Sequence, residues 1–418
     1  LHCLITGINH KGEGVARLDG KVVFIPYALP GETVEVEIEQ EKKHFARGKI
    51  QELLESSLDR ENPRCPHYYA CGGCAYQHVK YQRELELKRQ VVVDNLKRIG
   101  GIDHPVYPVI GMDLPWCYRN KVTWHMGLNS AGKKVLGYYV AGSRDLLPIR
   151  DCLLIPQQLQ AISSFFADNA GGLSGEQSAS LMLRQSSYDK KTMVLFIECM
   201  PDKNLLKKLK GRIDSIYSYR HQQFKQLYGP AQMLEKAGNK LFYLSAASFF
   251  QVNPIMTEIL LAKVKEYLNL QGREKVLDAY CGVGSIALNI AAQAAKVIGI
   301  EANEQAVEDA RHNAELNHID NCEFIAGLCE EVLKDRKYEF DAVVLDPPRA
   351  GLKKEVIQAL IEAEPERIVY VSCNPSTLAR DLKLLTADKY SVSQIQPLDM
   401  FPRTSHVETV VLITRVKE

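Results

Sequence analysis

Ser372-Cys373-Asn374-Pro375 places a cysteine at the carboxyl end of a predicted strand, just before a helix expected to begin near Thr377. A thiol there is a nucleophile once ionised, but an ordinary thiol titrates at roughly 8.5 and is mostly protonated at neutral pH. The helix N-terminus is expected to lower that value. A lone cysteine is more often a small buried apolar residue. What favours chemistry is its position across from Asp346-Pro347-Pro348-Arg349, a rigid acidic corner at the end of another predicted strand. A second carboxylate, Glu408, interrupts the otherwise apolar stretch Val407–Thr414. Partial burial would raise its pKa and make it a candidate proton acceptor. A solvent-facing strand position is the plainer alternative for Glu408, and His406 is the competing base.

Asp278-Ala279-Tyr280-Cys281-Gly282-Val283-Gly284-Ser285 sits between a predicted strand and a helix, where glycines let the backbone approach a ligand closely. The next strand ends in Glu301, 17 residues after Gly284, where a carboxylate can accept hydrogen bonds from the ribose hydroxyls of an adenosine. The turn lacks the third glycine of the dinucleotide fingerprint. That absence, with the Asp346-Pro347-Pro348 corner, favours S-adenosylmethionine over NAD. A methyl donor beside a cysteine and a base suits methylation of carbon 5 of a uracil. Thiolate addition at carbon 6 makes carbon 5 enolate-like and able to take the methyl group. Removal of the carbon-5 proton then lets the thiol leave.

Eleven cysteines are many for a protein of a reducing compartment, where a disulfide framework is not expected. Cys65, Cys71 and Cys74 have the spacing Cys-x5-Cys-x2-Cys, and Cys152 or Cys117 could complete a set of four thiolates. Such a set suits an iron–sulfur cluster or zinc, and spacing does not choose between them. The Cys-x3-Cys-x2-Cys pattern of radical chemistry is absent.

The elements that must position these groups follow from periodicity. From about residue 250 short apolar strands alternate with helical segments: Lys275–Asp278, Val297–Glu301, Cys322–Ala326, Ala342–Asp346 and Ile368–Cys373. This predicts a parallel, doubly wound sheet, with Val407–Thr414 as a late antiparallel strand at its edge. A helix is predicted from about Val79 to Arg98, ending at Gly100-Gly101. Residues 102 to 245 read as a mixed region of strands with two helices. Residues 1 to about 57 read as short strands: Val22–Ile25 follows the Asp19-Gly20 turn, and Val34–Glu39 alternates with period two. A small closed β-barrel of the oligonucleotide-binding kind fits that spacing. The stretch Lys42–Lys49 interleaves cations with Phe45, which suits either phosphate contact with base stacking or a solvated hairpin tip.

The 418 residues imply two or three domains, and 46% hydrophobic with 25% charged residues is ordinary for a globular protein. No apolar run reaches bilayer length and no signal-peptide pattern opens the sequence, so a cytoplasmic location and no membrane partner are expected. The sequence opens on Leu1 and not on Met, so a few preceding residues are expected. The net charge of +1 is unevenly spread: −2 over residues 1–60, +6 over 61–150, +4 over 151–250 and −7 over 251–418. The middle of the chain is the better place for a polyanion to dock, although solvated surfaces often carry such imbalances.

Taken together, Cys65–Cys74, Phe249-Phe250-Gln251-Val252-Asn253, the Tyr280–Ser285 turn, Asp346–Arg349, Ser372–Pro375 and His406-Val407-Glu408 resemble the RNA (uracil-C5)-methyltransferases. The resemblance covers essentially the whole chain and is greatest to the cluster-containing 23S ribosomal RNA branch. It implies an N-terminal TRAM β-barrel at residues 1–57, a central α+β domain with a [4Fe–4S] cluster at 58–245, and a Rossmann-like methyltransferase domain at 246–418. It implies Cys65, Cys71, Cys74 and Cys152 as cluster ligands, and Gln251, Tyr280, Glu301 and Asp346 as contacts to S-adenosylmethionine. It implies Cys373 as nucleophile, Glu408 as proton acceptor, a flipped target base, and RNA, most readily 23S rRNA, as partner; a monomer is the default expectation. Transfer RNA remains the alternative substrate.

Three other readings are weaker. A cytosine-C5 enzyme would show a second cysteine after the diproline corner, where Arg349-Ala350-Gly351 stands. A non-catalytic RNA-binding protein leaves Cys373 and the glycine turn unexplained. An NAD oxidoreductase with a cluster needs the missing glycine.

Overall fold

The computed structural model describes residues 1–246, 248–335 and 339–416. Its C-terminal part is a seven-stranded sheet in the order Cys322–Ala326, Lys296–Glu301, Lys275–Ala279, Ala342–Leu345, Arg367–Ser372, Glu408–Arg415, Tyr390–Leu398. The first five strands pair in parallel, and Glu408–Arg415 is antiparallel to both its neighbours. The alternating strands and helices of the sequence thus form the expected doubly wound sheet. The late antiparallel strand is not at the edge, however. Tyr390–Leu398 lies outside it, and the 107–110 segment hydrogen-bonds along that outer strand through Tyr107 to Ile395 and Ile110 to Pro397. Strand order reverses between Lys275–Ala279 and Ala342–Leu345, which opens a crevice beyond their carboxyl ends.

The predicted long helix runs Tyr81–Asn95, continues as one π-helical turn over Leu96–Gly100, and stops at Gly101, whose φ of 66° is left-handed. Val92 and Leu96 join the core formed by Leu277, Leu345 and Leu378, so this helix packs on the C-terminal sheet. Between the two lies a second seven-stranded sheet, in the order Gln223–Tyr228, Ser215–Arg220, Thr192–Pro201, Leu173–Gln185, Lys121–Leu128, Lys134–Tyr139, Leu146–Pro148. Helices Gln157–Asp168 and Lys203–Leu209 supply Leu159, Phe166 and Leu205 to the core on one of its faces.

At the N-terminus six strands hydrogen-bond in a single order from His2–Leu4 to Gly7–Ile8. No ladder closes them into the expected barrel among the described residues. The two end strands are consecutive parts of one segment, and the bonds from Ile5 N–H to Glu32 O at 2.9 Å and from Thr6 N–H to Val15 O at 2.8 Å extend their separate pairings with Thr33–Glu41 and Gly14–Leu18. Val23, Ile25, Val34 and Val36 fill the curled interior. Lys42–His44 forms an exposed hairpin tip, while Arg47 is engaged by Glu13 at 2.7 Å. No helix among the described residues is long and apolar enough to cross a membrane.

Candidate functional site

The glycine turn leaves the strand Lys275–Ala279 through Tyr280, Gly282 and Gly284, with φ of 68°, 55° and 83°. A left-handed tyrosine is costly backbone, of the sort held in place at functional sites. A side chain on Gly284 would put its Cβ 3.1 Å from the Phe324 ring, whereas one on Gly282 would meet nothing within 4 Å. The turn is therefore packed on one side and open on the other. Glu301 braces it: one carboxylate oxygen accepts from Gly282 N–H at 3.1 Å and the other from Asn303 N–H at 2.8 Å. A carboxylate has about four acceptor positions, which leaves capacity for hydroxyl donors.

Beneath the turn lies Asp278, fully buried, with one oxygen accepting from Ala287 N–H at 2.8 Å and the other unpartnered among the described residues. Burial pushes its carboxyl up to about 8, helped by Asp346 and Glu301 and opposed by the Ala287 bond. Sequence reasoning quoted Asp278 but gave it no part. Its polarity at the end of an apolar strand was the available signal. Asp346 follows the Ala342–Leu345 strand, and burial pushes it up to about 7.

Cys373 follows the last residue of Arg367–Ser372, and Asn374 caps the next helix, Pro375–Leu385, by accepting from Ser376 N–H at 3.1 Å. The Asn374 amide also donates to Arg349 O at 3.0 Å, tying the acidic corner to the cysteine turn. The antiparallel ladder ends at Ser372 opposite Thr409, so Cys373 faces Glu408 one step further on. Glu408 is buried, 4% exposed, and its carboxyl is held well above the ordinary range by burial first and by Asp346 second, against Arg349. The half-buried Cys373 thiol does not have the lowered pKa expected from the helix N-terminus. It is pushed up to about 11 by burial, then by Glu408 and Asp346, with Arg349 opposing. Burial, with two carboxylates from elsewhere in the fold, outweighs the local helix.

His406 is a poor competitor for the role of base. Arg349 approaches its Nε2 at 3.2 Å, and since a guanidinium only donates, that nitrogen must accept. Burial and then Arg349 drive its pKa down to about 4. Gln251 lies half-buried in the segment before helix Pro254–Leu268, which Asn253 caps while donating to Met400 O at 3.0 Å.

Cys65, Cys71, Cys74 and Cys152 share one neighbourhood. Burial raises Cys74 to about 12 and Cys152 to about 11, and the other cysteines of the set push both further up. Cys117 is exposed, its thiol 3.7 Å from Leu153 O. The expected cluster nevertheless has no finished cage: among the described residues no group of three or more His, Cys, Asp or Glu is placed to hold a metal ion. The donor chemistry fits a metal, because buried thiols that raise one another's pKa need a cationic partner to ionise.

The fold and crevice define a methyltransferase built on a doubly wound sheet. A family model described as tRNA (Uracil-5-)-methyltransferase matches residues 220–416, and a TRAM domain model matches residues 2–50. An uncharacterized RNA methyltransferase of Bacillus cereus is 37% identical over 98% of this chain and 95% of its own. Another from Caldanaerobacter subterraneus is 40% identical over 99% and 97%. Among solved structures, Pyrococcus abyssi tRNA (uracil-54, C5)-methyltransferase in complex with S-adenosyl-L-homocysteine superposes with a TM-score of 0.78 at 28% identity, covering 99% of this chain and 100% of that one. The chain belongs to the RNA (uracil-C5)-methyltransferase family.

Proposed function

We propose that this protein methylates carbon 5 of a uridine in 23S rRNA, with Cys373 as covalent nucleophile and Glu408 as proton acceptor. The observation that carries the reading is the facing pair Cys373 and Glu408 beside Asp346 and Arg349. S-adenosylmethionine, when bound against Tyr280, Gly282, Glu301, Asp346 and Gln251, supplies the methyl group and a positive sulfonium charge. The Cys373 thiolate adds to carbon 6 of the uracil, and the electron pair displaced to carbon 5 forms the new carbon–carbon bond as the methyl–sulfur bond breaks. Glu408 then takes the carbon-5 proton, the carbon 5–carbon 6 double bond re-forms, and Cys373 leaves as thiolate. A raised pKa makes ionised Glu408 the stronger base. Arg349 favours the ionised forms of both groups.

Cys65, Cys71, Cys74 and Cys152 are the ligands we assign to a [4Fe–4S] cluster. Tetrahedral thiolates on one zinc lie about 3.8 Å apart. The choice of a cluster over one zinc rests on the resemblance carried by the Cys65–Cys74 motif. The cluster motif favours the ribosomal substrate. The second reading, a uridine in tRNA, is favoured by the 0.78 match to a tRNA (uracil-54, C5)-methyltransferase.

The test is incubation of anaerobically purified protein and S-adenosylmethionine with total RNA containing 5-fluorouridine, followed by a denaturing gel. Fluorine cannot leave as a proton, so a covalent protein–RNA band is expected, absent in Cys373→Ala. Sequencing the trapped RNA names the substrate. No adduct from cofactor-bound protein would overturn the mechanism.

A further inference from the structure

One cross-strand row of the central sheet runs Gly137, His125, Ser180, Ile197, Tyr219, Phe224, each residue directly opposite the next. Residues so paired point to the same face. The row carries a ring pair near each end: His125 stacks on Tyr139 with centroids 4.4 Å apart, and Tyr219 packs on Phe224 at 4.5 Å. Between them lie only the small Ser180 and the half-buried Ile197.

The other face of the sheet is covered, with Trp124, Leu181 and Phe196 buried against the two helices. On the open face the hairpin of Met233–Ala237 and Lys240–Leu244 covers the neighbouring row, where Met182, Leu195 and Tyr217 pack on Met233, and Ile197 and Tyr219 border that cluster, so the rings at the two ends of the row stay open. Tyr139 and Phe224 are left 37% and 49% exposed. Rings that a fold leaves uncovered on a sheet are the standard means of stacking unpaired bases.

This face leads to the catalytic segment. Lys121, on the same strand and face as His125, holds its ammonium 5.5 Å from the ring centre of Phe249, which is 64% exposed. Arg184, opposite Lys121, donates to Ser248 O at 2.9 Å, and Asn120 N–H donates to Val252 O at 2.9 Å. Gln251 lies within that segment. The stretches that build the face carry +6 and +4, against −7 for residues 251–418, which suits a polyanion.

We propose that the open face of the central sheet is a platform for unpaired nucleotides of the RNA substrate beside the target uridine. Their bases stack on the Tyr139–His125 and Tyr219–Phe224 pairs, and their phosphates lie toward Lys121. The proposal rests on the RNA-methyltransferase reading of the crevice. Four inter-strand steps of about 4.8 Å separate His125 from Phe224, about 19 Å, room for several extended nucleotides. Stacking of this kind tolerates any base.

The test measures binding of the full-length protein to a labelled single-stranded oligouridylate and to a duplex of equal length. Tyr139→Ala and Phe224→Ala are each expected to weaken single-strand binding by about 5- to 100-fold and to leave duplex binding nearly unchanged. Tyr139→Phe should keep wild-type affinity. Thermal melting checks that each variant is folded, and the 5-fluorouridine adduct, made with the same preparations, reports separately on the crevice. If the adduct forms and the alanine variants bind single strands like the wild type, the platform is overturned and the catalytic reading stands. If no adduct forms but single-strand binding still needs both rings, the platform is supported and the catalytic reading falls. A solution dimer dissolved by Phe224→Ala, with RNA binding unchanged, would make the face a contact between copies and overturn the proposal.

Discussion

Cys373 and Glu408 face one another at the open end of two adjacent antiparallel strands, one step past the Ser372–Thr409 pair. The carboxyl acts on the thiol directly, raising its pKa, so the two groups share one space. Glu408→Gln keeps the shape and removes the proton acceptor. It should cut turnover by about 10²- to 10⁴-fold while letting the methylated covalent adduct accumulate on ordinary uridine RNA. Since ionised Glu408 raises the Cys373 pKa, the same variant should be alkylated by iodoacetamide faster than wild type at mildly alkaline pH. Unchanged alkylation together with normal turnover would remove Glu408 from the site.

The pH dependence follows from the same charges. Catalysis needs Cys373 and Glu408 ionised, and both have raised values, with the thiol at about 11. The rate should climb with pH from about 6 to about 9 and show no acid-side optimum. Arg349 favours both ionised forms, so Arg349→Gln should move the profile to higher pH. The same variant relieves His406 in part: its value, now about 4, should rise but stay below the ordinary imidazole range because burial, the larger cause, remains, as NMR titration would show. A profile that falls above neutrality would contradict this arrangement.

Asp278 predicts a stability effect of definite sign. Its folded value, about 8, lies above its unfolded value of 3.8, so its contribution is full below 3.8 and is lost as pH rises through about 8. Asp278→Asn keeps an oxygen for Ala287 N–H and has no charge to bury. Relative to wild type, the variant should gain about 1.4 kcal/mol per pH unit across that window. Chemical denaturation at pH 5 and pH 8 gives the difference. Equal differences at both pH values would mean that Asp278 ionises freely.

Much of this site was legible because strand ends are. Glu301, Asp346 and Cys373 each close an apolar run, and the doubly wound pattern brings such ends to one crevice. Glu408 stood out as a carboxylate in an apolar strand. The strand Tyr390–Leu398 escaped notice because Gln394, Gln396 and Pro397 break its period. The fold accommodates them by a register shift at Gln394 and by Gln396 donating to Pro108 O at 2.8 Å. The Cys373 pKa was misjudged for a related reason. The helix N-terminus is local and visible, while the burial that outweighs it and the carboxylates of residues 346 and 408 that add to it arise from the tertiary fold. In the N-terminal sheet the segment from His2 to Ile8 pairs first with one strand and then with another, a long-range choice that alternation does not encode.

The cysteine set predicts colour. Protein purified without oxygen should be brown and carry four irons and four sulfides per chain, as [4Fe–4S] requires. Cys71→Ser and Cys152→Ser should both lose the iron, whereas Cys117→Ser should keep it. Colourless protein with one zinc per chain would replace the cluster by a single ion.

Behind Glu408 lies a buried charge network that ties two distant parts of the chain together. The Lys88 ammonium, 1% exposed, donates to Glu84 at 2.8 Å, to Asp399 at 2.6 Å and to Phe401 O at 3.2 Å. Tyr81 OH donates to the other Asp399 oxygen at 2.8 Å, and Arg403 N–H donates to Glu84 at 2.7 Å. The Arg403 guanidinium lies about midway between the Tyr81 and Trp116 rings, at 5.2 and 5.0 Å, and Arg403 O accepts from Ala75 N–H at 2.8 Å, next to Cys74. The loop 399–407 leading to Glu408 is thus held by the long helix on one side and the cysteine segment on the other. Lys88→Met leaves buried Asp399 without its cation and Glu84 with Arg403 alone, at 3.6 Å, which should cost about 3–5 kcal/mol of stability by chemical denaturation. None of these bonds reaches Glu301 or the glycine turn. Binding of S-adenosylhomocysteine should therefore survive below the melting temperature while methyl transfer falls, since Glu408 is the group released. Parallel loss of both would mean that the network supports the sheet as a whole and not the loop.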